Sequence, residues 1–86
     1  MPEISKFYGI HITMYYVDHN PPHFHAEYDG YKVLVNINEC VIIKGYFPPK
    51  QLKILLAWSE IHKEELLANW ELCASYKQPN KINPLV

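Results

Sequence analysis

Phe24-His25-Ala26-Glu27-Tyr28-Asp29-Gly30-Tyr31-Lys32-Val33-Leu34-Val35 is the stretch from which the fold can be worked out. Asp29-Gly30 is a preferred two-residue type I′ loop, because both of its central positions need positive φ. Pairing outward from that loop sets Tyr28 opposite Tyr31, Ala26 opposite Val33 and Phe24 opposite Val35, a wholly apolar face. The alternate pairs are Glu27 with Lys32, His25 with Leu34 and His23 with Asn36, a mixed face carrying charge and imidazole. Turn chemistry and alternation thus agree on one register for an antiparallel hairpin.

Upstream of the hairpin, Pro21-Pro22 fixes φ near −65° twice and removes two backbone donors, so the chain turns there without a ladder. His19, His23 and His25 flank this corner, three of the five histidines within seven residues. Farther back, residues 4–8 read as a first strand ending at Gly9. Residues 10–17 read as a second, with Ile10, Ile12, Met14 and Tyr16 on its core face and His11 toward solvent. Downstream, Asn38-Glu39 marks a turn and residues 40–44 another strand ending at Gly45. From Pro48-Pro49 the period changes to that of a helix: Leu52, Leu55, Leu56, Ser59, His62, Leu66, Asn69, Trp70 and Cys73 follow the 3–4 spacing to about Ser75. A straight helix of that length would run ~40 Å, more than a small domain spans, so a break is expected over residues 60–63, with Glu64 and Glu65 in the first turn of the second piece. Trp58 and Trp70, at helical spacing among leucines, read as core.

The expected class is α+β: a four- or five-stranded, mostly antiparallel sheet followed by one long or two consecutive helices packed on one face. Residues 1–76 form a single domain, and 77–86 an extended tail that Pro79 and Pro84 keep from being helical. Ile82 and Leu85 in that tail are expected to dock. Eighty-six residues leave no room for a second core. The 49% hydrophobic content suffices for one core without disulfides or a structural metal, and Cys40 and Cys73, far apart, read as reduced thiols. A net charge of −1 excludes a strongly basic nucleic-acid footprint, leaving only a local patch for such a ligand. No apolar run of about 20 residues is present, and the start lacks a signal peptide's basic and apolar regions, so a cytoplasmic protein with no membrane partner is expected. No motif requires a cofactor.

Asp18-His19-Asn20-Pro21-Pro22-His23-Phe24-His25, with Pro2-Glu3-Ile4-Ser5, residues 9–15, Gly45 and Pro48, Trp58-Ser59-Glu60-Ile61-His62, Asn69-Trp70 and the closing Ile-x-Pro-Leu, resembles a family of short bacterial and archaeal proteins known only as domain of unknown function 4160. The resemblance covers nearly the whole chain. It implies pairing with a small neighbour-encoded protein, similar to a toxin–antitoxin operon, and brings no catalytic residues with it. After Ile37, where relatives commonly turn with glycine, this chain has Asn38-Glu39-Cys40.

Three readings of the histidines follow. His19, His23 and His25 suit acid–base cleavage of RNA, as a metal-independent endoribonuclease with Tyr16, Lys32 and Lys44 nearest the phosphate. His19, His23, His25 and Glu27 form the set that would hold a metal, if one is bound. Alternatively the corner is a rigid knuckle in a non-catalytic binding or regulatory module, for which seven tyrosines suit a half-wet interface. His23 and His25 are expected on an exposed strand face, where removing either costs little stability.

Overall fold

The computed structural model describes residues 2–85; Met1 and Val86, the latter included in the expected tail, lie outside the described residues. Its elements run β1 (Glu3–Phe7), β2 (Ile10–Thr13), β3 (His23–Tyr28), β4 (Tyr31–Asn36), β5 (Val41–Gly45), α1 (Pro49–Ile61) and α2 (Lys63–Ala74). The strands form one antiparallel meander in sequence order. The α+β architecture expected from the alternation and the change of period is the one observed.

The hairpin has the register derived from its turn: all six pairs from His23 with Asn36 to Tyr28 with Tyr31 are present. Asp29 and Gly30 take φ of 47° and 84°. The next turn solves the same problem without glycine. Cys40 adopts φ of 54°, its N–H donating to the Asn36 carbonyl while the Asn36 side chain accepts from Glu39 N–H. Cys40 and Cys73 are free, and burial raises both thiols above their ordinary pKa.

Phe24, Ala26, Val33 and Val35 are buried beneath the helices, together with Leu55, Trp58, Leu66 and Trp70. Trp58 anchors this layer, its ring 5.1 Å from Phe7 and 5.7 Å, edge-on, from Phe24. Leu52 and Leu56 are only half-buried, on the flank of the same stripe. The helical run breaks at His62, inside the expected window. His62 leaves helical geometry at φ −107°, yet its N–H still closes α1 on Trp58 and its carbonyl opens α2 by accepting from Leu66. Glu64 and Glu65 stand in the first turn of α2, where the helix dipole favours carboxylates.

β2 corrects one expectation. It ends at Thr13 instead of reaching Val17, and Tyr16 is exposed where a core-facing residue was expected. The cause is tertiary. Met14 N–H still donates to the Pro2 carbonyl beside β1, but Val17 N–H donates to the Cys73 carbonyl at the end of α2, so beyond Met14 the chain is drawn off the sheet toward the helix. Tyr16 then stacks on Tyr76.

In the tail, Ile82 is buried and Leu85 packs against the core. Ile82 N–H donates to the Ile4 carbonyl of β1. Trp58 Nε1–H donates to the Asn83 carbonyl, and the buried Asn69 amide both donates to the Asn80 carbonyl and accepts from its N–H. No helix is long and apolar enough to cross a membrane among the described residues.

Candidate functional site

The corner between β2 and β3 turns Asp18 back over the start of β3. Asp18 Oδ1 accepts the His19 N–H at 2.8 Å, which orients the carboxylate. Asp18 Oδ2 lies 3.0 Å from His23 Nε2 and 3.4 Å from His25 Nε2. The far side of the His23 ring is also held: Nδ1–H donates to the Pro21 carbonyl at 2.8 Å. Two residues apart on one strand face, the two imidazoles meet edge to face at 5.4 Å. His23 packs on Trp70 of α2, whereas His25 lies against Tyr15 at 4.1 Å between ring centres.

Only part of the site is shielded, with side-chain exposures of 9% for His23, 17% for Asp18 and 25% for His25. Burial pushes the Asp18 carboxyl up, but hydrogen bonds from the His19 N–H, His25 and His23, together with the charge of His23, outweigh it and hold it below its ordinary value. Burial dominates at His25 and lowers it, the charge of His23 adding to this and the Asp18 carboxylate opposing it.

These groups line a hollow of about 300 Å³ with Tyr15, Leu34 and Ile43. Strand pairing carries the surface onward in one row, from Thr13 of β2 through His25 and Leu34 to Lys44 of β5. A second hollow of about 260 Å³ accordingly lies between His25, Lys32, Leu34 and Lys44. A third, of about 100 Å³, is lined by His11, Thr13, Tyr15, His25, Glu27 and Lys32. His25 borders all three, which makes it the centre of the open sheet face.

The structure therefore gathers the expected residues unequally. His23 and His25 converge. His19 lines the same hollow but is exposed, and it serves the cluster through its backbone N–H rather than its ring. Lys32 and Lys44 flank His25. Tyr16 lies outside these hollows, and its neighbour Tyr15 occupies the place beside His25. Glu27 stands exposed farther along β3, opposite His11 and Lys32, apart from the Asp18 group. Among the described residues, Asp18, His23 and His25 are the group that could hold a metal ion, their ligand atoms all within 4.8 Å of one another. Asp18 was not among the expected site residues, although it opens the Asp18-His19-Asn20-Pro21-Pro22-His23 run. A carboxylate placed before a two-proline turn and histidines after it was the available clue.

A five-stranded meander backed by two helices, with a carboxylate and two imidazoles converging at one corner, defines a small α+β protein with a polar site on its open face. The family model for the domain of unknown function DUF4160 matches residues 9–71, and the chain belongs to that family. Neither the curated proteins nor the solved structures contain a match.

Proposed function

We propose that the protein cleaves RNA at the Asp18, His23 and His25 hollow, as the toxin component of a toxin–antitoxin-like gene pair. The observation that carries this reading is the hollow that His25 shares with Lys32 and with Lys44, one strand beyond Leu34, on the open face. Cleavage by a ribose 2′-hydroxyl needs activation of that hydroxyl, a proton for the departing oxygen, and cations for the charge that builds on phosphorus. Asp18, His23 and His25 face the first two tasks. The lysines face the third, and Tyr15 beside His25 offers a ring on which a base can stack. The operon-like pairing implied by the family resemblance supplies the biological setting.

Induced expression followed by incubation of purified protein with labelled single-stranded RNA tests the reading. His25→Ala should lose both growth inhibition and cleavage, Lys44→Ala should raise KM more than it lowers kcat, and His11→Ala should resemble the parent in both. Intact RNA with the parent protein, with and without divalent metal, would remove catalysis from the account. The binding-module reading has its own observation: β5 is an edge strand with Val41 and Ile43 exposed, a surface to which an extended segment of the neighbour-encoded protein could add.

A further inference from the structure

We propose that Asp18 Oδ2, His23 Nε2 and His25 Nε2 bind a divalent first-row transition-metal ion, zinc or iron(II). The proposal goes beyond the RNA reading and does not depend on it.

The first ground is a conflict of lone pairs. With its Nδ1–H committed to the Pro21 carbonyl, a neutral His23 ring presents the bare lone pair of Nε2 to a carboxylate oxygen 3.0 Å away. Two such acceptors face each other only when a cation lies between them. A proton on Nε2 satisfies the His23 contact. The same Asp18 oxygen is also approached by His25 Nε2 at 3.4 Å, so the alternatives are one proton on each ring or a single metal ion shared by both. A single ion serves all three atoms at once.

Spacing is the second ground. Ligand atoms ~2.0–2.2 Å from one ion stand roughly 2.9–3.5 Å from each other in tetrahedral or octahedral geometry. The two separations from Asp18 Oδ2 fall in that interval, and small ring rotations would bring the imidazole nitrogens, already within 4.8 Å, to it.

Third, the ligands have the outer supports that metal sites require. A carbonyl holds His23 by its other nitrogen and a backbone N–H holds the free oxygen of Asp18. Two imidazoles and one carboxylate favour zinc or iron(II) over the all-oxygen preference of calcium and magnesium. Three protein ligands leave coordination positions open toward the 300 Å³ hollow, the arrangement of a site that receives water or substrate.

The test is metal content and affinity in untagged protein. Elemental analysis should find close to one ion per chain, and Zn²⁺ titrated against a chromophoric chelator should show one tight site. Co²⁺ substitution should give visible ligand-field bands. Asp18→Asn and His25→Ala should weaken zinc by at least about tenfold, while Glu27→Gln binds as the parent does. Because His23 also packs on Trp70, the decision rests on Asp18→Asn and His25→Ala, with circular dichroism showing that both remain folded. No measurable zinc binding to the metal-stripped parent, or equal affinity in the parent and these two variants, overturns the site. Zinc bound with RNA left intact would keep this proposal and remove the RNA reading; cleavage by metal-free protein in excess chelator with no zinc binding would do the reverse.

Discussion

His23 and His25 stand two residues apart on β3 and share a carboxylate, yet their removal should cost different amounts. His23 is buried on Trp70 with both ring nitrogens engaged, which corrects the expectation that both histidines lie exposed. His23→Ala should lower stability by roughly 1–3 kcal/mol, through lost packing and an unpaired Pro21 carbonyl, and His25→Ala by less than about 1 kcal/mol. Equal shifts in urea midpoints would refute that ranking. A separate pair sets a pH dependence. The Glu3 carboxylate, 2.7 Å from His11 Nδ1, is held below its ordinary pKa mainly by that hydrogen bond. A depressed folded-state pKa adds stability above the unfolded value that disappears as pH falls through the folded one. Glu3→Gln should therefore be less stable than the parent near pH ~6 and converge with it near pH ~2–3, as read from denaturant titrations. At this scale the histidines were legible because the two-proline motif is dense. Asp18 was not, because its role depends on how the corner folds back.

Turn chemistry decides how far the elements could be read. Asp29-Gly30 admits one hairpin type, so every pair of β3 and β4 followed from residues adjacent in sequence. β2 could not be bounded that way, since what ends it is a hydrogen bond to Cys73, more than fifty residues distant. Gly45 shows a backbone constraint that alternation alone hides. At φ 98°, a β-carbon there would overlap the Lys32 carbonyl across the ladder. Gly45→Ala should destabilise by more than about 2 kcal/mol, whereas Gly30→Ala, with positive φ but open space, should cost about 1 kcal/mol. In the helical layer, the fully buried Leu55 should cost ~2–5 kcal/mol on truncation to Ala. A loss below half that range in a denaturant titration would mean that the core closes around the gap.

For the whole molecule, the tail is part of the fold and not an appendage to it. Asn69, buried on α2, fixes Asn80 through two hydrogen bonds, and Trp58 reaches Asn83. Asn69→Ala should cost roughly 1–3 kcal/mol and make the segment around Asn80 more sensitive to protease, both measurable on the full chain. The apolar residues near the end announced docking in the sequence, but not its place. That place depends on β1 and α2 arriving side by side. Because the tail takes the Ile4 carbonyl, the outer edge of β1 is partly covered by the chain's own end, while the outer edge of β5 has no strand partner among the described residues. In a polymer chemist's terms the two edges of the sheet differ in reactivity: strand-to-strand association is favoured through β5, while the tail at Ile4 interrupts pairing along β1, which works against growth into a fibre.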